Sequence, residues 1–335
     1  MKFQFNEKEY RMLSNVDTQK AIKLIKDKFQ KHLSKNLNLL RVSAPIFVEA
    51  ATGLNDDLNG VERKVSFTPL FDKNTTIEVV QSLAKWKRHA LKKYDIKANH
   101  GIYTDMNAIR RDENLDQIHS LYVDQWDWEK RITASDRNVE YLKKNVLLIC
   151  DALDKTIKDV KKVYKNIDVE FSKIPYFITS EELLQMYPKL SPSEREAEIC
   201  KKHSTVFVIG IGNKLSNGIP HDSRAPDYDD WQLNGDLLVY DKVLNYCVEL
   251  SSMGIRVDDK SMLYQLKASN KTDRLKFTYH KQIINKELPL SIGGGIGESR
   301  ICFYILKKGH IGEVQASVWD KKNKDFCAKH GLKLL

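Results

Sequence analysis

Ser291-Ile292-Gly293-Gly294-Gly295-Ile296-Gly297-Glu298-Ser299-Arg300, followed by the apolar run 301–306, is the most informative stretch of the chain. Closely spaced glycines let a backbone approach a flat or phosphorylated ligand without interference from a Cβ. Arg300 falls three residues past the last glycine. The pattern predicts a glycine loop opening a helix, with Arg300 on its first turn. There a guanidinium can stack on a base or fork onto phosphate. The spacing Gly-x-Gly-x-Gly-x-x-Arg is neither the dinucleotide-binding Gly-x-Gly-x-x-Gly nor a P-loop with its Lys-Ser/Thr. It points to a nucleotide site of a third kind.

The rest of the chain bounds what such a site can belong to. With 335 residues, 41% hydrophobic and 30% charged, it has the composition of a soluble globular protein. No apolar run reaches the length of a membrane span, and the first residues lack the apolar core of a signal peptide. Five scattered cysteines with no Cys-x-x-Cys favour reduced thiols and a cytoplasmic address over a disulfide framework or a zinc site. The net charge of +10 is spread over lysines interleaved with acids, which reads as a solvated surface rather than a nucleic-acid stripe.

No repeat, low-complexity tract or linker interrupts the chain, so one continuous domain over residues 1–335 is expected. Ile22, Ile25, Phe29 and Leu33 recur at helical spacing, giving a helix over 18–35. Residues 39–47 read as one strand carrying Pro45, an edge or interface signature. A strand over 76–80, a helix over 82–94 and a strand over 121–128 follow. Leu142, Val146, Ile149, Leu153, Ile157 and Val160 form one face of a long helix over 137–165. Ser193, with Glu196 three residues on, reads as the capping box of a helix ending near 202. A buried strand spans 205–210. Residues 237–240 and 244–250 pair as a hairpin around Asp241-Lys242, and two helices lie near 259–268 and 273–286. Strands at such irregular intervals do not fit a doubly wound sheet. An α+β fold, a mainly antiparallel sheet flanked by helices, fits better.

Four polar clusters accompany the glycines. Gly53-Leu54-Asn55-Asp56-Asp57-Leu58-Asn59-Gly60 is rich in turn formers. Gln81-Ser82-Leu83-Ala84-Lys85-Trp86-Lys87-Arg88 reads by itself as a cationic helix face. In the third, Val123, Gln125 and Asp127 share one face of a strand while Asp124, Trp126 and Trp128 share the other. Aspartates are depleted in strands, so two on opposite faces call for a cause beyond packing. The fourth, Arg224-Ala225-Pro226-Asp227-Tyr228-Asp229-Asp230-Trp231, combines carboxylates and aromatics as a site for an ammonium or a metal does. The hairpin would also bring Asp236 close to Glu249, an oxygen pair suited to Mg²⁺.

Together these parts resemble the three motifs of class II aminoacyl-tRNA synthetase catalytic domains, and more specifically the ammonia-dependent asparagine synthetase (aspartate–ammonia ligase) family. The matching stretches are Asp56 to Gly60, Ser82 to Arg88, Tyr122-Val123-Asp124-Gln125-Trp126-Asp127-Trp128-Glu129, Arg224 to Trp231, Glu249 to Val257 and the glycine run. The resemblance runs from about residue 18 to Trp319. Better-known members carry a longer insertion between Trp231 and Leu233, so a trimmed loop is expected there.

The resemblance implies a reaction. Aspartate's side-chain carboxylate would attack the α-phosphorus of ATP, giving β-aspartyl-AMP and pyrophosphate, and ammonia would then displace AMP. Arg110 would take the motif 2 role on the α-phosphate. Asp236 and Glu249 would hold Mg²⁺. Arg300 and Gly295 would cover the nucleotide, with His119, Ser120 and Val123 around the adenosine. Asp56, Ser82, Lys87, Arg110, Gln125, Asp127 and Ser252 would bind aspartate, with Asp229 and Arg256 nearby. Ammonium must lose a proton before it attacks, and either Asp56 or Asp229 would accept it. No cysteine stands where a glutaminase nucleophile would, so free ammonia is the expected donor. Pro45 and the helix before it match the family's dimer-forming motif 1, implying a homodimer. The rivals are an aspartyl- or asparaginyl-tRNA synthetase-like protein and a non-catalytic tRNA-binding paralogue. No tRNA partner is expected, because the motifs leave no room for a tRNA-gripping domain.

Overall fold

The computed structural model describes residues 3–56, 58 and 62–335. The chain opens with α1 (Asn15–Leu37), β1 (Leu39–Arg41), β2 (Phe47–Glu49), β3 (Ser66–Phe67), β4 (Ile77–Val79) and α2 (Ala84–Lys93). Next come β5 (Gly101–Ile109), β6 (Tyr122–Arg131), α3 (Val139–Val163), β7 (Tyr176–Thr179), α4 (Ser180–Met186), α5 (Pro192–His203) and β8 (Thr205–Ile209). It ends with β9 (Asp229–Asp241), β10 (Tyr246–Arg256), α6 (Asp259–Ala268), α7 (Thr278–Ile284), β11 (Ser291–Gly297), α8 (Glu298–Ile305) and α9 (Lys321–Lys329).

Eight strands form one sheet in the order β1-β5-β6-β11-β10-β9-β8-β7. Only the two outer pairs, β1 with β5 and β7 with β8, are parallel; the centre is antiparallel. A separate three-stranded sheet, β2-β4-β3, lies apart. The helices α1 and α3 cover one face of the large sheet. Ser14 caps α1 by accepting from the Asp17 amide, and Asn38 ends it in the left-handed region at φ 58°. Ala21, Ile25, Phe29, Leu33 and Leu37 point inward from α1, at four-residue steps along one face. Leu142, Val146, Ile149, Leu153, Ile157 and Val160 do the same from α3. Between them lie Trp126 and Trp128 of β6, Met253 and Ile255 of β10, and Ile292 and Ile296 of β11. That face is greasy, so the opposite face of the same three strands is left for polar work.

Several sequence expectations change in detail. The strand expected over 39–47 is two strands in different sheets, because Pro45 lacks the amide that would continue a ladder. The capping box lies two residues earlier than expected: Ser191 and Glu194 form it, with Pro192 in the first turn. The hairpin forms, but its strands are far longer than expected, at 13 and 11 residues. β9 runs unbroken through Trp231 to Leu233, so the trimmed insertion leaves no loop at all. The 273–286 helix splits into a 3-10 turn (Thr272–Lys276) and α7. Among the described residues no helix is long and apolar enough to cross a membrane.

Candidate active site

The glycine run is not a loop. Ser291–Gly297 is a central strand of the sheet, and only Glu298 begins the helix. Register explains why. Across β6, β11, β10 and β9, Asp127, Gly295, Ser252 and Asp236 stand in one row. Glu129, Gly293, Gly254 and Asn234 form the next row on the same face. A Cβ on Gly293 would sit 2.0 Å from Glu129 Oε2 and 2.7 Å from Arg256 Nη2. One on Gly295 would sit 2.2 Å from Gln125 Oε1, and one on Gly254 would sit 2.9 Å from Asp229 Oδ1. The glycines clear a floor so that long polar side chains can lie across the strands.

Above this floor opens a cavity of about 490 Å³. Ser82, Lys87, Arg110, Gln125, Asp127, Asp229, Ser252 and Arg256 line it, as do His119, Ser120, Val123, Glu249, Gly295 and Arg300. Every candidate read from the sequence therefore meets here except Asp56 and Asp236. Asp56 is buried beside the cavity, where its charge and that of Asp229 both act on Tyr228. Asp57, Asn59 and Gly60 of the same cluster lie outside the described residues. Asp236 stands in the floor row but beneath Arg224, whose Nη2 donates to its Oδ1 at 2.6 Å.

The charges in the walls are internally matched. Lys87 Nζ donates to Asp127 Oδ1 and, at 3.0 Å, to the Gly294 carbonyl. Burial pulls the Lys87 ammonium below the usual lysine range, with Asp127 opposing. Arg256 is 2% exposed; its Nε and Nη2 fork onto Glu129 at 2.8–3.1 Å, and its Nη1 donates to Asp229. Asp227 Oδ2 takes Lys85 and Arg274, each at 2.8 Å, and His280 at 2.9 Å. Burial alone would raise the Asp227 carboxyl, but these three partners hold it well below the usual range. The "cationic face" of α2 therefore points inward: Lys85, Lys87 and Arg88 are all buried. Arg88 donates instead to the Pro289 and Val257 carbonyls at 2.9 and 2.6 Å.

The two aspartates of β6 divide their tasks. Asp127 faces the cavity floor. Asp124 accepts from the Ser299 amide and hydroxyl at the start of α8, and from Gln315. It thereby satisfies a donor that every helix N-terminus leaves open. Asp236 and Glu249 share a face because a bulge between Glu249 and Ser251 restores the alternation. Arg300 donates to the Glu249 carbonyl at 3.0 Å and stands 3.6 Å from its carboxylate. Two hard oxygen donors on one face fit a small divalent cation.

Sequence reading missed Arg224 and Glu196. Arg224 Nη1 donates to Ser252 as Nη2 holds Asp236. Glu196, held by His221 at 2.8 Å, is raised above the usual carboxylate range by burial, with Asp236 and Glu249 adding to the effect. No local spacing ties α5 to this corner; only the sheet brings them together.

The floor makes a separable prediction. Gly293→Ala should break the Glu129–Arg256 pair and lower stability by about 3 kcal/mol or more. The three atoms nearest a Cβ on Gly295 all belong to the movable amide of Gln125, so the loss for Gly295→Ala should stay below about 1 kcal/mol. Urea unfolding of the two variants checks the ranking.

The fold has known counterparts. Asparaginyl-tRNA synthetase from Pyrococcus horikoshii complexed with asparaginyl-adenylate superposes with a TM-score of 0.66 at 15% identity, over 90% of this chain and 68% of that one. Aspartyl-tRNA synthetase from Entamoeba histolytica gives 0.58 at 14%, over 89% and 57%. These likenesses fix the architecture as that of class II aminoacyl-tRNA synthetase catalytic domains. Sequence similarity goes further. Aspartate–ammonia ligases of Clostridium tetani and Fusobacterium nucleatum are 52% and 53% identical, over 98% and 96% of this chain and 96% and 98% of their own. The aspartate–ammonia ligase family model matches residues 16–331, which takes in every strand and charge pair of the cavity described above; the chain belongs to that family.

Proposed function

We propose that this cavity joins ammonia to the side-chain carboxylate of L-aspartate at the expense of ATP, making L-asparagine through β-aspartyl-AMP and releasing AMP and pyrophosphate. One observation carries the reading. Groups suited to an amino acid (Lys87, Gln125, Asp127, Ser252, Arg256) share a single cavity with groups suited to a nucleotide (Arg110, His119, Glu249, Arg300).

Aspartate's side-chain carboxylate is anionic and has no leaving group, so ammonia cannot displace anything from it. Attaching AMP supplies the leaving group. The protein's task is to hold carboxylate and α-phosphorus in line and to neutralise charge as it builds. Arg110 covers the α-phosphate. Lys87 and Arg256 offset the charge of the aspartate carboxylates, and Asp127, Gln125 and Ser82 receive its ammonium. His119, Ser120 and Val123 wall the adenosine, and Arg300 stacks over it from the first turn of α8. Asp236 and Glu249 would hold Mg²⁺, which when bound would offset the charge of the departing phosphates. The proton of the incoming ammonium passes to Asp56 or Asp229, the two carboxylates beside Tyr228. Incubation with aspartate, ATP and ammonium should yield AMP in step with asparagine. ADP in its place would contradict the route.

Residues 1–335 would act as a single catalytic unit in the cytoplasm, paired with a second copy. The surface around Pro45 supports that pairing. Ile46, Phe47, Phe67, Leu70 and Phe71 are all exposed, with Leu70 and Phe71 at 94% and 85%. Phe47 meets Phe67 edge-on at 5.8 Å. Contiguous apolar surface of this kind marks an interface. Sedimentation should give a dimer at micromolar concentration, shifted toward monomer by Phe47→Asp. A monomeric parent would contradict the pairing.

A further inference from the structure

Arg224 opens one of the stretches that carry the resemblance, yet the resemblance assigned it no role, and it stands in the cavity wall. It lines the cavity wall, and its side chain is only 10% exposed. Its guanidinium forks across two strands, one arm on Ser252 of β10 and the other on Asp236 of β9. Its Nε is buried without a hydrogen-bond partner among the described residues. The fork is thus incompletely satisfied where it rests.

The charges nearby explain why it rests there. Asp236, Glu249 and Glu196 crowd one corner, close enough that the first two act on the third. Arg224 and Arg300 are the arginines paired with Asp236 and Glu249. A divalent cation on Asp236 would compete with Arg224 for the carboxylate's charge and repel the guanidinium, so metal binding weakens the Arg224–Asp236 pair. The chain around Arg224 allows it to leave. Asp222 and Ser223 before it are exposed, whereas Ala225 and Asp227 after it are buried and anchored by Lys85, Arg274 and His280. The pivot is fixed and the arm is not.

We propose that Arg224 is the cation that receives the leaving pyrophosphate. Arg224 rests on Asp236 and Ser252 and there sets a positive charge beside that carboxylate. On binding triphosphate it would give up Asp236 and fork onto the outer phosphates. A planar guanidinium suits two phosphate oxygens better than any other side chain does. The inference rests on the adenylating reading given above.

The test is calorimetry on the full chain with two probes, Mn²⁺ alone and magnesium pyrophosphate, without ATP or aspartate. Arg224→Ala uncovers Asp236, so Mn²⁺ should bind at least about tenfold more tightly than to the parent. It also removes the fork, so magnesium pyrophosphate should bind at least about tenfold more weakly. Unchanged affinity for either probe overturns the proposal. Arg224→Lys keeps the charge but cannot fork, and covers the case of an alanine variant that fails to fold. It should bind magnesium pyrophosphate more weakly than the parent; parent-like affinity overturns the clamp. Aspartate-dependent ATP–pyrophosphate exchange by the parent separates the two levels. A parent that exchanges while the variants bind both probes normally sinks Arg224 alone. A parent that never exchanges sinks the adenylating reading itself.

Discussion

Replacing Arg110 with alanine should reduce aspartate-dependent ATP–pyrophosphate exchange by about 10³-fold or more, while leaving the melting temperature close to the parent's. The separation follows from where the residue stands. Arg110 sits just past β5, and its amide donates to the Leu121 carbonyl at 2.9 Å, closing the turn into β6. That bond belongs to the backbone and survives the substitution. The side chain lines the cavity, and its Nε has no partner among the described residues. Truncating it strands no buried carboxylate, unlike the loss of Lys87 or Arg256. On the proposed reading, what disappears is a positive charge beside the α-phosphorus as it gains negative charge. Such preorganised charge costs no rearrangement at the moment of reaction and is worth most in a secluded cavity. Exchange at the parent rate in Arg110→Ala would remove this residue from the chemistry.

Arg256→Ala should share the first effect, a loss of exchange, and differ in the second, because it also lowers stability. The guanidinium joins Glu129 to Asp229 while buried from solvent, and lies 5.7 Å from the centre of the Tyr228 ring. Ser291 adds a 2.7 Å hydrogen bond to Glu129 but no charge. Removing the arginine leaves two carboxylates facing each other in a dry interior. Breaking one partner from such a buried set typically costs about 3–5 kcal/mol. The urea midpoint should therefore fall markedly, and aspartate-dependent exchange should fall with it. Adding Glu129→Gln to Arg256→Ala should recover part of the stability, because one stranded charge is then gone. A parent-like unfolding curve for Arg256→Ala would mean that the three-residue set carries little of the fold's stability.

These two arginines also mark what could be read from the sequence. Periodicity exposed α1 and α3, because each buries a continuous apolar stripe. β6 was legible through its alternation, with Trp126 and Trp128 inward and Gln125 and Asp127 outward. β5 was not, since Asp105 and Asn107 interrupt it and strand formation there comes from pairing with β1 and β6. The glycines of β11 misled in the same way. Glycine has low strand propensity, so a run of four in five residues suggests a loop; the central position of β11 between β6 and β10 overrides it. The cationic helix of Lys85, Lys87 and Arg88 looked solvated because its partners Asp227 and Asp127, and the carbonyls of Val257 and Pro289, are distant in sequence. Most of the candidate site was legible through the resemblance, which supplied residue types at matching positions. Arg224 and Glu196 were not, because their importance lies in a register across β9 and β10 that spacing along the chain does not encode.

The most direct measurement follows one atom. L-Aspartate carrying heavy oxygen in its side-chain carboxylate, incubated with ATP and ammonium, should pass one labelled oxygen to the phosphate of AMP for each asparagine formed, detected by mass spectrometry. Label found instead in inorganic phosphate, with AMP unlabelled, would contradict attack on the α-phosphorus and with it the account of this cavity.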